Sequence, residues 1–256
     1  MSIFDGGLRY EAAAVCGVGR VRADNQDNIY LNGRTRYAEN IWFAESGRRR
    51  ALFAVADGMG GEANGALASA AALDALKKCR PDGAAALADA FQQANDAVCA
   101  VARKHSARCG STLTALWLAG GTAAAANVGD SRCYLLRGDS LRLLSRDHTL
   151  ARQLAAAGLI TEDAVASHPE RHRLTQHLGI FPEEMRIEPH MTTLDTRSGD
   201  RFLLCSDGLT EMVQEDVITR MLRSEDDAQT QARALYELAM ESGGRDNISV
   251  LIVAVR

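Results

Sequence analysis

Two alanine- and leucine-rich runs stand back to back, Ala66–Lys78 and Ala84–Arg103, with apolar residues at helical spacing and Asp82-Gly83 between them. A crossover helix in a parallel sheet must be followed by another strand, so two consecutive helices exclude a βαβ unit at this point. Strand-like sequence flanks the pair on both sides. Upstream, Leu8–Val18 reads as extended, Arg20–Gln26 as a polar turn, a second strand begins near Asn28, and Arg50–Ala56 is an apolar, buried strand. Downstream, Thr112–Leu118, Thr122–Val128, Arg132–Arg137 and Ser140–Leu144 read as a meander with turns at Gly120-Gly121, Gly129-Asp130 and Gly138-Asp139. Residues 149–182 break this pattern with a short helix (Leu150–Ala157), a second helical piece from Thr161 and a His/Arg-rich stretch, and are predicted to form an inserted flap. Strands at Arg186–Leu194 and Arg201–Cys205, helices near Glu215–Arg223 and Asp227–Glu241, and a final strand Ile248–Val255 complete the reading. Strands grouped with strands and helices with helices predict an α+β fold of two antiparallel sheets with helices outside. One domain is expected over residues 1–256, with the flap at about 149–182.

Composition narrows the partners. Lys+Arg number 29 and Asp+Glu 33, giving a net charge of −4, and no basic stripe of the kind that neutralises nucleic-acid phosphates or anionic lipid is present. The one basic run, Arg48–Arg50, reads as a solvated hairpin tip. The six cysteines at 16, 79, 99, 109, 133 and 205 include no CxxC pair, so neither a disulfide framework nor a zinc knuckle is predicted. No secretory leader is visible, and the weakly polar stretch Ala115–Ala126 is far short of the roughly 20 apolar residues of a membrane span. These features lead us to expect a soluble, reduced, cytoplasmic protein that binds neither nucleic acid nor membrane.

The aspartates carry the functional signal. Asp57 ends the run Leu52–Ala56, Asp130 follows Thr122–Gly129, Asp207 ends Phe202–Ser206, and Asp246 immediately precedes the last strand. Each alone is first a turn signal, since aspartate is disfavoured within strands. Four at the mouths of apolar strands mean more, because packed sheets bring strand ends together. Converging carboxylates stay ionised only beside cations, and hard oxygen donors select Mg²⁺ or Mn²⁺ over zinc. Two such ions about 3.5 to 4 Å apart can clamp a phosphoryl group for in-line attack. The glycines at 58, 60 and 61 would let backbone carbonyls approach an ion, and Arg22 is the candidate to meet the phosphate through its planar fork of donors.

Phe53-Ala-Val-Ala-Asp-Gly-Met-Gly-Gly61 occurs with Arg22-Ala-Asp-Asn-Gln-Asp27, Gly110-Ser-Thr112, Asn127-Val-Gly-Asp-Ser-Arg132 and Asp147-His148. Leu174-Thr-Gln-His-Leu-Gly179, Leu204-Cys-Ser-Asp-Gly-Leu209 and Gly244-Arg-Asp-Asn-Ile248 follow. Together, and in this order, these motifs resemble the PP2C-type (PPM) metal-dependent protein phosphatases in their bacterial form. The resemblance implies an α-β-β-α sandwich with a dinuclear Mn²⁺ or Mg²⁺ centre that hydrolyses phosphoserine and phosphothreonine on proteins. It assigns Asp57 as the bridge between two ions, the Gly58 carbonyl to the second, Asp207 and Asp246 to the first, and Asp27 to support through bound water. Asp130 with Asp207 matches the site of a third, weaker ion, and Arg22 binds phosphate. A water bridging the metals is the implied nucleophile. The implied partners are phosphoproteins and a cognate Ser/Thr kinase whose work the enzyme, expected to be a monomer, reverses.

Two departures stand out. Gln26 occupies a position where many members carry Glu, a variant that resembles phosphatases of bacterial type VI secretion, and Met59 replaces a histidine proposed as general acid in eukaryotic members. Water on a third metal is then a candidate acid. Other readings compete. Gly58-Met-Gly-Gly-Glu-Ala63 formally matches a dinucleotide fingerprint, but a helix follows where a parallel strand is required, and Asp57 would repel a pyrophosphate. His168 and His172, four apart, read as part of a solvated flap rather than a metal pair, with contact to acidic phosphopeptides as the alternative. His148 reads as capping or packing. A pseudophosphatase scaffold would be expected to lack an aspartate or Arg22, and a phosphatase of an anti-sigma-factor antagonist shares the chemistry and differs in partner. Two divalent ions would take the formal charge from −4 to zero, turning the most acidic cleft into an anion site.

Overall fold

A computed structural model describes residues 9–36, 41–48, 50–60, 64–79 and 81–256. One sheet has the order β10 (Ser140–Leu143), β9 (Arg132–Arg137), β12 (Arg201–Cys205), β13 (Ile248–Val255), β1 (Arg9–Gly17) and β4 (Ile41–Arg48). The second runs β11 (His190–Asp195), β8 (Thr122–Val128), β7 (Leu113–Ala119), β5 (Ala51–Gly60), β2 (Asp27–Leu31) and β3 (Arg34–Arg36), with the short β6 (Cys109–Ser111) on the far end of β5. All ladders among the described residues are antiparallel. That removes the dinucleotide-fold reading of Gly58–Ala63.

Alternation along the central strands builds the layers. On β5, Ala51, Phe53 and Val55 face the other sheet, while Leu52, Ala54 and Ala56 face the hairpin of α1 (Asn64–Cys79) and α2 (Ala84–His105). On β13, Leu251, Val253 and Val255 face inward between the sheets. Val250 and Ile252 face the helices α4 (Asp207–Thr210), α5 (Glu215–Leu222) and α6 (Ala228–Glu241). Covering both faces of each sheet explains why these strands are continuous apolar runs rather than alternating ones. The result is the predicted α-β-β-α sandwich.

Three local expectations need correction. The predicted meander is split: β7 and β8 lie in one sheet and β9 and β10 in the other, so Gly129-Asp130 is a crossing between sheets and not a hairpin. Asp57-Gly58 is not a turn either, because β5 continues to Gly60 by exchanging its partners β2 and β7 for β6. Nor does Asp207-Gly208 reverse the chain; it opens α4 behind Ser206. The edge strand β4 was not read from the sequence, since its second half, Ala44–Arg48, is small or charged. Arg50 is exposed in the link from β4 to β5, again between sheets, and Arg49 lies outside the described residues. Between Asp147 and β11 the flap segment holds α3 (Leu150–Ala156), capped by the Thr149 hydroxyl on the Arg152 amide, and a 3₁₀ turn at Glu162–Ala164. The strand expected from Arg186 begins only at His190.

Candidate metal centre

Register brings the aspartates together. Asp27 stands opposite Asp57 on the β2–β5 ladder, Cys205 opposite Val250, and Gly17 opposite Ile248, so the starts of β2 and β13 and the ends of β12 and β1 share one rim. Asp207 follows β12, Asp246 precedes β13, and the inter-sheet crossing delivers Asp130 to the same rim. Asp57, Asp130, Asp207 and Asp246 line a cleft of about 790 Å³ together with Arg22 and Gly58. Every predicted site residue is thus present in the cleft except Asp27. That carboxylate lies behind it, buried, where the Ser206 and Ser249 hydroxyls donate to Oδ2 at 2.7 and 2.8 Å.

Gly58 sits where three segments meet. Its amide donates to the Gln26 carbonyl at 3.1 Å, and a Cβ at this position would lie 2.0 Å from the Gly65 carbonyl oxygen. Only glycine lets β5 pass so close to the start of α1. Asp57 is fixed through its backbone: its amide donates to Thr112 Oγ1 at 3.0 Å and its carbonyl accepts from the Thr112 amide and the Ser111 hydroxyl. Gln26 donates through Nε2 to the Gly60 carbonyl at 3.4 Å, so the amide serves the framework of the site.

Electrostatics set the state of the carboxylates. Burial, followed by repulsion from Asp27, Asp207, Asp130 and Asp246, holds the Asp57 carboxyl well above the usual range. Asp207 is likewise held well above it by burial and then by Asp130, Glu211 and Asp246. Burial and Asp147 push Asp130 up to about 7. Burial pushes Asp27 up to about 6 against the lowering pull of its two serine donors. Asp27 Oδ1 and Asp207 Oδ1 are buried acceptors without a hydrogen-bond donor. An all-oxygen set that is crowded, under-satisfied and short of positive charge fits hard divalent cations.

Arg22 reaches across the cleft mouth, 58% exposed, and its Nη2 donates to Asp246 Oδ2 at 2.6 Å. Its turn is pinned by Asn247. The Asn247 side chain donates to the Val18 and Asp24 carbonyls, each at 3.0 Å, and accepts from the Gln26 amide at 2.8 Å. The motif around Asp246 gives Asn247 no role by itself, and only contacts more than 200 residues apart in sequence reveal one.

His172 is exposed, as read from sequence, yet it also lines the cleft. Its Nδ1 lies 2.8 Å from Glu211 Oε1, with one oxygen of Asp207 within 4.8 Å of both groups. His168 is not in this cluster; its Nδ1 accepts from the Glu170 amide. His177 also lines the cleft, and its Nδ1 stands 2.8 Å from the Leu178 carbonyl. His148 keeps its predicted packing role: its Nδ1 accepts from the Gly129 amide, and burial lowers it to about 4, leaving it neutral.

Comparison with known proteins fits this geometry. The family model "Protein phosphatase 2C" matches residues 37–239. The serine/threonine protein phosphatase PstP of Mycobacterium tuberculosis is 36% identical over 97% of this chain, and the chain spans 45% of that relative's length. A solved catalytic domain of PstP, in complex with two manganese ions, has a TM-score of 0.80 at 34% identity, covering 97% of this chain and 99% of that one. The serine/threonine phosphatase stp of Listeria innocua is 32% identical over 92% of both chains. The solved structure of PppA, described as a key regulatory component of T6SS in Pseudomonas aeruginosa, has a TM-score of 0.77 at 30% identity and covers 96% of this chain and 98% of that one. With aspartates, fold and similarity in agreement along nearly its whole length, this chain belongs to the protein phosphatase 2C family.

Proposed function

We propose that this chain is a metal-dependent phosphatase that removes phosphate from serine and threonine of proteins. The observation that carries the reading is the convergence of Asp57, Asp130, Asp207 and Asp246 on one cleft with the Arg22 guanidinium at its mouth. Asp57 and the Gly58 carbonyl, with Asp207 and Asp246, would hold two Mn²⁺ or Mg²⁺ ions. Asp27 backs them from the interior, and Asp130 with Asp207 offers a weaker third position. When bound, the ions supply an activated water and neutralise the phosphoryl oxygens. Arg22 then exchanges its pair with Asp246 for the substrate phosphate, where its fork can bind two oxygens. Asn247 keeps the Arg22 turn in place while that exchange occurs. The likeness to the serine/threonine phosphatases PstP and stp supports this activity. Residues 149–182 act as the flap of a single catalytic domain, and a bacterial Ser/Thr kinase supplies the phosphoprotein. A place in type VI secretion is supported by Gln26 and by the likeness to PppA.

Hydrolysis of a phosphothreonine peptide should require Mn²⁺ and stop in EDTA; full activity in the chelator would overturn the reading. Arg22→Ala should lower kcat/KM by about tenfold, mainly through KM, as expected for loss of one partly exposed charge-assisted contact. Unchanged KM and kcat would remove Arg22 from the substrate site.

Metal binding and proton binding compete at the same carboxylates. With Asp27 raised to about 6 and Asp130 to about 7, the folded metal-free protein carries more protons than the unfolded chain above the usual carboxylate range, about pH 4. Its stability therefore falls as pH rises from about 4 through about 7. Mn²⁺ replaces those protons, so the rise in Tm on adding Mn²⁺ should be small at about pH 5 and large at about pH 8. Thermal melts with and without EDTA at both values test this, and a shift that does not depend on pH would contradict it.

A further inference from the structure

A second cavity, of about 230 Å³, adjoins the catalytic cleft and shares Met59, Gly60 and His177 with it. Its other walls are mainly apolar: Ala102 near the end of α2, Cys109 of β6, and Ile180 and Phe181 on the chain leaving the flap, with the exposed pair Arg108 and Glu184 at its edge. The first three are buried against the core between the second sheet and the α1–α2 hairpin, so this side of the cavity is already formed. The wall cannot recede either. Gly179 adopts φ +95°, and a Cβ there would lie 2.5 Å from the Cys109 carbonyl oxygen, so the flap exit lies directly on β6. Phe181 is held from outside by the Arg103 guanidinium, 4.8 Å from the ring centre. Charge at the mouth is internally balanced, because Arg108 pairs with Glu184 at 3.3 Å.

The position of this cavity relative to Asp57 defines its occupant. Asp57 and Met59 are two residues apart on β5, hence on one face and about 6.6 Å apart along the strand. An extended peptide repeats that spacing: side chains two positions apart share a face at the same interval. A phosphoresidue placed over Asp57 therefore presents the side chain two positions away to the cavity at Met59. An apolar cavity of about 150 Å³ suffices for benzene, so this one accommodates a whole leucine, methionine or phenylalanine side chain. We infer that the cavity is a specificity pocket for a large apolar side chain two positions from the phosphorylated residue of the protein substrate. The inference rests on the phosphatase reading and adds a sequence preference to it. Met59 then has a role in this chain as a flexible apolar wall between the reacting centre and the pocket.

The test compares phosphothreonine peptides bearing Leu, Ala or Asp at the −2 and +2 positions, with p-nitrophenyl phosphate as a substrate too small to reach the pocket. At one of the two positions Leu should exceed Ala in kcat/KM by about tenfold or more, and Asp should fall below Ala, because its hydration is lost against apolar walls. Ala102→Leu fills the pocket and should bring the Leu/Ala ratio close to one while leaving p-nitrophenyl phosphate hydrolysis unchanged. Should Ala102→Leu lose hydrolysis of p-nitrophenyl phosphate through misfolding, Phe181→Ala, which removes the outer wall, is expected to lower the same ratio with that hydrolysis intact. Equal rates for Leu and Ala at both positions in the unaltered protein, or a ratio preserved in a folded variant, would overturn the pocket while p-nitrophenyl phosphate hydrolysis upholds the phosphatase. No hydrolysis of any substrate in Mn²⁺ would overturn both.

Discussion

Asp57→Asn should lower kcat/KM on a phosphothreonine peptide by at least about 100-fold and should also make the metal-free protein more stable. The two effects have one cause. Asp57 is the carboxylate that feels all the others: Asp27, Asp207, Asp130 and Asp246 each oppose its ionisation, on top of its burial. Asparagine keeps the shape and removes the charge. Loss of a group that merely orients a metal ligand costs about 10- to 100-fold, so loss of a proposed ligand itself should reach at least the upper end of that range. In EDTA at about pH 8 the variant should melt above the unaltered protein, since a source of repulsion is gone and stability no longer depends on protonating it. Mn²⁺ should then raise its Tm little or not at all. A residue with a purely structural role would give the opposite pattern, a lower Tm in EDTA with the metal response retained. That outcome, or near-normal activity, would remove Asp57 from the metal centre.

The ease with which these aspartates are read from sequence has a physical reason. An apolar run ending in Asp records where a strand leaves the core, and in a two-sheet sandwich the strand ends fall on a few rims. Asp57, Asp130, Asp207 and Asp246 could therefore be grouped without knowing a single pairing. What could not be read is which sheet each strand joins. Gly129-Asp130 carries the same local turn signal whether the chain reverses beside β8 or crosses to the other sheet. The crossing is decided by β9 pairing with β12, about 70 positions later, where Arg132 stands opposite Cys205. The polar supports are non-local in the same way. Ser206 and Ser249 reach Asp27 across 179 and 222 positions, and although Ser206 stands in the motif around Asp207, nothing local marks either hydroxyl as a donor to Asp27. His172 is exposed as expected, but its pairing with Glu211 could not be read, because Glu211 belongs to the turn after α4 rather than to the flap.

Asp147→Ala should destabilise the protein by about 3 kcal/mol, the low end for breaking a buried ion pair, and lower Tm by about 6 to 12 °C in a chain of this size. Asp147 is 8% exposed and grips Arg132 with both oxygens: Nε donates to Oδ1 at 3.0 Å and Nη2 to Oδ2 at 2.7 Å. Arg132 opens β9 immediately after the inter-sheet crossing, and Asp147 precedes the flap, so this pair ties both segments below the cleft. Its Nη1 also donates to the Tyr134 hydroxyl at 2.9 Å, which in turn donates to Glu215 at 2.9 Å. Removing the carboxylate leaves a largely buried guanidinium without its main counter-charge, and that penalty dominates the loss. The double variant Arg132→Leu/Asp147→Leu removes both charges and should recover most of the stability, because pairing in the interior roughly balances the cost of desolvation. In Asp147→Ala, where Arg132 keeps its charge beside Asp130, loss of the repulsion from Asp147 should lower the Asp130 pKa and strengthen Mn²⁺ binding at the proposed weaker position, measurable by titration calorimetry. A double variant as unstable as Asp147→Ala would show that packing of these side chains, and not the stranded charge, sets the loss.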